Sequence, residues 1–309
     1  MLQQQIGVQD AFGKQILKKT DNKSDVCLKN KIIVVGMGAI GKSIILELAQ
    51  KNYEVIVVTR RGQKGFEDIC NYIEKAVKAH KIIKSKNEIL SRISVVNDFS
   101  KESGHPELVI EAVKEDLDEK QQLFKKMDKI YPSNIILSSV TSSLSITEIA
   151  QFMDRPDRMV GIHFFNPANV MRLVEIIPGE KTSEETIEKA QLFVKKIGKT
   201  PLTTPDIPGF IVNRIMFTMI NEAITLLSEG KVSAEDIDVA MKLGANHPMG
   251  PLSLADFIGL DNCLRILENL YKKTERPEYI PRQLLIQKVK NNNLGRKTGK
   301  GFLCYDLDS

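Results

Sequence analysis

Only four of the 309 residues are histidines, and His163 is the one that closes an apolar run, MVGIH. An imidazole at the end of a strand can take and return a proton near neutral pH, the work of a general acid/base. Glu175 stands twelve residues further on, inside RLVEII. If GIHFFNPANVMRLVEII folds back at its Asn-Pro turn, two neighbouring strands bring this carboxylate to the imidazole. One ring nitrogen is then held in a fixed tautomer, and the other is left to exchange a proton with a substrate. By spacing alone, a structural ion pair remains the alternative.

Gly36, Gly38 and Gly41 form G-x-G-x-x-G, enclosing Ala39 and Ile40, between a β-branched run, KIIVV, and a helical one, KSIILELAQKN. The first glycine permits a tight turn, the second lets backbone approach a pyrophosphate, and the third allows close helix packing. The helix N-terminus adds unpaired N–H groups and the positive end of a dipole. Binding of a dinucleotide is the chemistry indicated; a glycine turn without ligand is the plain alternative. NAD usually meets an Asp or Glu at the end of the second strand. Here EVIVV runs into Thr59, Arg60 and Arg61, and Thr59 stands 23 residues after Gly36. A hydroxyl and two guanidiniums suit a 2′-phosphate that a carboxylate would repel, so NADP(H) is favoured over NAD(H). Glu54 lies at the wrong end of that strand. Two solvated arginines on a turn are the competing explanation.

These residues need a scaffold. A strand, a glycine turn, a helix and a second apolar strand within about 30 residues make a βαβ unit, which implies a parallel sheet with helices on both faces. ISVVND, ELVIEAV, NIILSSV, MVGIHFF and RLVEII continue the strands. Helices are predicted over Phe66–Arg92, Asp118–Ile130, Ile146–Met153 and Ser183–Ile197, and the short TPLTTP that follows carries no convincing strand signal. After DIPG the text becomes helical throughout, with apolar spacing in FIVNRIMFTMINEAITLLSEG, SAEDIDVAMKLG and SLADFIGLDNCLRILENLYKK. The expected fold is a Rossmann-type, doubly wound, mainly parallel α/β sheet over residues 31–207, followed by an all-helical C-terminal domain over 208–309.

With 42% hydrophobic and 27% charged residues the chain can bury a sizeable core. A net charge of +5 with interspersed signs calls for no nucleic acid, though it is compatible with an anionic substrate. Cys27, Cys70, Cys263 and Cys304 lie far apart without metal-ligand spacing, which fits a reducing compartment, and no metal is expected. No apolar run reaches the ~20 residues of a membrane span, and the first 30 residues lack a secretory core or an Arg-rich transit pattern. They read as an appended N-terminal extension on a cytoplasmic enzyme.

Taken together, GMGAIG, VIEAVKED, SSVTSSLSITEIA, GIHFFNPANVMRLVEII, DIPGFIVNRIMFTMINEA, ANHPMGPLSLADFIGLD and GRKTGKGF resemble the 3-hydroxyacyl-CoA dehydrogenase family from Lys31 to near Tyr305. The free-standing 3-hydroxybutyryl-CoA dehydrogenases are the members most similar. The resemblance implies reversible oxidation of an (S)-3-hydroxyacyl-CoA to the 3-ketoacyl-CoA, with His163 as catalytic acid/base and Glu175 as its paired acid. It places active-site Ser and Asn at Ser142 and Asn213, which would hold the 3-oxygen. Glu111 and Lys120 match family residues near the cofactor, although an ion-paired surface helix explains the lysine equally well. It also implies a homodimer made through the helical domain. Two positions depart from the pattern: Val140 replaces a usual Asn, and Thr59 replaces the usual Asp after the second strand. A dehydrogenase of another 3-hydroxy acid, as in the lambda-crystallin and L-gulonate branch, and a non-catalytic dinucleotide-binding protein are the rivals. An acyl-CoA reading favours reduction if the cofactor is phosphorylated.

Overall fold

The computed structural model describes residues 30–79, 84–99 and 106–306, so the N-terminal extension lies outside them apart from Asn30. Eight strands form one sheet: β1 (Lys31–Val35), β2 (Glu54–Val58), β3 (Ile93–Val96), β4 (Leu108–Glu111), β5 (Ile136–Ser139), β6 (Met159–Phe164), β7 (Leu173–Pro178) and β8 (Thr200–Thr203). Their order is β3-β2-β1-β4-β5-β6-β7-β8, and every pair is parallel except β6 with β7. The order reverses between β1 and β4, which opens a crevice at the C-terminal ends of those strands, where ligands of such sheets bind.

Alternation along the strands divides the core. Ile32 and Val34 pack on one face of the sheet, Ile33 and Val35 on the other, and all four are nearly fully buried. The helices α1 (Ala39–Gln50), α2 (Gly62–Lys78), α3 (Lys86–Leu90), α4 (Leu117–Ile130), α5 (Ile146–Ile149) and α6 (Glu184–Lys196) cover the faces. Side chains of Asp116 and Ser183 cap α4 and α6 by accepting backbone N–H bonds three residues on, each cap worth about 1 kcal/mol. Helices α7 (Val212–Ser228), α8 (Ala234–Gly244), α9 (Pro251–Ile258), α10 (Leu260–Thr274) and α11 (Gln283–Lys290) enclose a separate core around Phe217, Ile220, Leu252, Leu260 and Leu267.

Three sequence expectations need correction. No single helix spans Phe66–Arg92: α2 starts earlier, at Gly62, and ends at Lys78, and α3 begins anew where Ser85 Oγ accepts the Glu88 N–H. A serine that engages the backbone in this way starts a helix rather than continuing one. The helix expected over Ile146–Met153 is α-helical only to Ile149 and then tightens to a 3₁₀ turn over 150–152. TPLT is a strand after all, pairing Pro201 with Val174. It lies at the sheet's edge with mostly exposed residues, where no apolar pattern marks it and a proline is tolerated.

Candidate active site

Strands β6 and β7 turn back on each other, and their register sets His163 opposite Glu175. The two side chains leave the same face of the sheet, and His163 Nδ1 lies 2.8 Å from Glu175 Oε2. Both residues are buried. The other carboxylate oxygen accepts N–H bonds from Ile211 (3.2 Å) and Val212 (3.1 Å), where α7 begins. The ring packs between Phe165 and Phe210, with centroids at 4.7 and 5.5 Å. Nδ1 is thus occupied, and Nε2 has no partner among the described residues, which leaves it as the nitrogen able to exchange a proton.

The next residue of α7, Asn213, extends its amide nitrogen to the Ser142 carbonyl over a long 3.4 Å. Three consecutive residues at the head of α7 therefore reach both the His163–Glu175 pair and the loop after β5. That loop belongs to SSVTSSLS, which contains six hydroxyl residues. The family resemblance picks out Ser142, and the bonding pattern sets the same residue apart. Ser138 donates to Val109 O, Ser139 to Glu111, Thr141 and Ser143 to Glu115, and Ser145 to Asp206. Only the Ser142 hydroxyl lacks a partner among the described residues, so it alone is free to bond a substrate oxygen.

The glycine turn follows β1. Gly36 has φ +97°, and a Cβ there would sit 2.5 Å from the Ala112 carbonyl oxygen. At Gly41 a Cβ would lie 2.7 Å from the Gly36 carbonyl oxygen, so the turn and α1 are in direct contact. At Gly38 nothing lies within 4 Å of an added Cβ: the backbone faces open space. Gly38 caps α1 without any side-chain bond, and the helix has no acidic residue in its first turn, which also holds Ala39, Ile40 and Gly41. An open, carboxylate-free helix N-terminus fits a pyrophosphate.

Thr59 directly follows β2, largely buried, and its Oγ1 accepts the Arg61 N–H. The Arg60 side chain is 92% exposed and 3.3 Å from Glu119. Arg61 meets Asp68 at 2.6 Å and directly precedes α2, whose N-terminus adds positive potential. Both guanidiniums follow the C-terminal end of β2, each shared with a carboxylate. Lys120, expected beside the cofactor or on a paired surface helix, does not lie at the surface. It is 1% exposed and bonds Glu111 at 2.6 Å, with Glu115 at 3.5 Å. Glu111 is fully buried and also accepts bonds from Ser139 Oγ and the Val113 N–H, so this pair turns inward. Val140 is likewise buried in the core.

Similarity to known proteins identifies the family. Residues 31–207 match the model of the 3-hydroxyacyl-CoA dehydrogenase NAD-binding domain, and residues 209–305 that of the family's C-terminal domain. The chain belongs to the 3-hydroxyacyl-CoA dehydrogenase family. It is 42% identical over 283 residues to a probable 3-hydroxybutyryl-CoA dehydrogenase of Bacillus subtilis, covering 89% of this chain and 97% of that protein. Identity to the human mitochondrial hydroxyacyl-coenzyme A dehydrogenase is 39% over 285 residues, covering 89% and 90%. The crystal structure of (S)-3-hydroxybutyryl-CoA dehydrogenase from Ralstonia eutropha superposes with a TM-score of 0.82 at 40% identity, covering 90% of this chain and 99% of that one.

Within this 3-hydroxyacyl-CoA dehydrogenase fold, sequence reasoning passed over several residues that shape the site. Phe210 packs on the His163 ring and holds φ +50°, directly after Gly209 at +75°. A left-handed phenylalanine costs about 1 kcal/mol or more, and here it lets the chain enter α7 with the Ile211 and Val212 N–H groups aimed at Glu175. The adjacent Pro-Gly was the available signal. Ser43, on the cofactor-side helix α1, accepts the Ala168 N–H at 2.6 Å and so ties the loop after His163 to that helix. Nothing local in the sequence marks that contact.

Proposed function

We propose that this protein catalyses the reversible oxidation of (S)-3-hydroxyacyl-CoA, with 3-hydroxybutyryl-CoA as a short-chain substrate, using His163 as the general acid/base. The observation that carries this reading is the state of the His163 ring: Nδ1 engaged by Glu175, Nε2 free, at the C-terminal edge of a sheet with a dinucleotide turn. Nε2 takes the proton of the 3-hydroxyl during oxidation and returns it during reduction. Glu175 stabilises the imidazolium so formed by a charge-assisted bond of about 1.5–3 kcal/mol. The Ser142 hydroxyl and the Asn213 amide hold the 3-oxygen, the fixed dipoles that favour charge developing there. Bound NAD(P) supplies the hydride acceptor, held by Gly36, Gly38, Ala39, Ile40 and Gly41.

The phosphorylated cofactor is the preferred one in this reading, and reduction of the 3-ketoacyl-CoA the favoured direction. Its support is Thr59 where a carboxylate would stand, followed by Arg60 and Arg61. Residues 31–207 serve as the dinucleotide-binding domain and 208–309 as the substrate and dimerisation domain, after an extension of 1–30. A homodimer through the helical domain is supported by apolar side chains left exposed on α7 and α8: Ile215, Leu226, Val239 and Leu243, the last at 82%. No helix among the described residues is long and apolar enough to cross a membrane. Together with the separated cysteines, that supports a cytoplasmic location.

The deciding experiment is steady-state turnover of acetoacetyl-CoA and of free 3-keto acids, each with NADPH and NADH. Activity confined to free acids moves the protein to another 3-hydroxy-acid branch, and binding of cofactor without turnover of either substrate overturns the catalytic reading. Sedimentation of the parent protein and of Leu243→Asp tests the dimer: a monomeric parent rejects it.

A further inference from the structure

Glu115 lies between β4 and α4, beside the loop that carries Ser142. Its Oε1 accepts four bonds from that loop: Thr141 Oγ1 at 2.6 Å, the Ser142 N–H at 3.0 Å, the Ser143 N–H at 3.1 Å and Ser143 Oγ at 2.9 Å. Its Oε2 faces Lys120 at 3.5 Å, and Lys120 bonds Glu111, the last residue of β4. Burial alone would raise its carboxyl, but Lys120 and the loop donors outweigh it and hold Glu115 below the usual carboxylate range. One charged oxygen thus gathers both hydroxyls that flank Ser142 and the backbone of Ser142 itself.

We infer that Glu115 is a positioning residue of the reaction, which fixes the loop so that Ser142 alone presents a free hydroxyl to the substrate. The argument is one of competition. Thr141 and Ser143 stand on either side of Ser142 and are chemically equivalent to it as donors. Without Glu115 their hydroxyls, and two backbone N–H groups, lose their acceptor, and part-buried donors left unpaired seek new partners. The Ser142 hydroxyl and the Ser142 carbonyl that meets Asn213 are the nearest acceptors along the chain. Lys120 balances the charge that makes this arrangement tolerable in a buried setting, with Glu111 as its second partner. The role rests on the reading of Ser142 as a substrate-holding group.

A double-mutant cycle tests both statements apart. Glu115→Ala is expected to lower kcat about ten- to a hundredfold, less than the ~10²–10³ seen on removing a positioned donor outright, with the cofactor KM within about twofold of the parent. In a Ser142→Ala background the same change should cost less than about threefold, because the group it positions is gone. Equal losses in both backgrounds overturn the inference, as does an unchanged kcat in Glu115→Ala. If Ser142→Ala by itself costs nothing, the reading of Ser142 fails instead. Should Glu115→Ala not fold, the cycle is run with Glu115→Gln, which keeps the length and one acceptor oxygen; it is expected to retain more activity than Ala and to show the same dependence on Ser142. Additive losses for Gln reject the inference equally.

Discussion

Glu175 holds His163 through one oxygen and the head of α7 through the other. The orientation of the imidazole therefore depends on a helix whose first turn also delivers Asn213. The sheet and the helical portion are joined at this carboxylate as well as through Asn213 and Ser142, and the chemistry assembles only where they are docked.

Replacing His163 with Gln should lower kcat by about 10²–10⁴, the usual contribution of a general acid/base, while the unfolding midpoint and cofactor binding stay near the parent values. Glu175→Gln should lower kcat, because the imidazolium formed in the reaction loses its charged partner. A His163→Gln protein keeping more than about a tenth of the parent kcat ends the assignment.

The two glycines of the turn should separate folding from binding. Gly36→Ala places a Cβ 2.5 Å from the Ala112 carbonyl at φ +97°, so a stability loss of about 1–3 kcal/mol is expected in urea unfolding. Gly38→Ala meets no protein atom within 4 Å and has an ordinary φ of −63°, so it should be as stable as the parent yet bind NAD(P) at least tenfold more weakly. Normal cofactor affinity in Gly38→Ala would mean that the pyrophosphate lies elsewhere.

Cofactor choice should follow charge. Replacing Arg60 and Arg61 together should raise KM for NADPH and leave KM for NADH nearly unchanged, and Thr59→Asp should move preference towards NADH. Because Glu119 and Asp68 compete for the two guanidiniums, Glu119→Gln with Asp68→Asn should sharpen the preference for NADPH. Raising the salt should weaken it, since these contacts are near the surface. Equal kcat/KM for both cofactors in the parent refutes the phosphate assignment.

Asp128 should make acid unfolding visible. Burial works against its charge, but bonds from Arg158, Arg155 and Asp154 prevail and hold its carboxyl below the usual aspartate range. A carboxyl lowered on folding stabilises above its unfolded pKa of about 3.9, and that contribution disappears as pH falls through the lower folded value. Asp128→Asn also leaves Arg158, itself buried, without its partner, a loss of about 3–5 kcal/mol at pH 7. The gap between parent and variant should narrow as chemical unfolding is repeated from pH 5 down to pH 2.5. A gap independent of pH rejects the ionic account.

The strands, the glycine turn and the His163–Glu175 pairing were legible because each is local: apolar alternation, three glycines, and a turn between two runs twelve residues apart. The network around Lys120 was not. A lysine is almost always exposed, and its burial here depends on two carboxylates and on the β5 loop, which reach it only through tertiary packing. The family resemblance picks out Ser142 among the six hydroxyls of SSVTSSLS, but why that hydroxyl is left open to a substrate shows only in the folded bonding pattern. The Phe66–Arg92 helix failed differently, since its periodicity outlasted the point where Ser85 starts a new turn.

One consequence belongs to the edge strand β8. Thr200 and Thr204 direct their N–H groups to Arg172 and Ile176 on the β7 side. Alternation then turns position 201 outward, and Pro201 there has no N–H to offer. An incoming strand from another molecule finds a donor missing at the point where it would begin to pair. The same residue that hid this strand from the sequence pattern thus guards the sheet against growth by strand addition, and Pro201→Thr should leave the fold intact while making concentrated solutions more prone to fibrous aggregation.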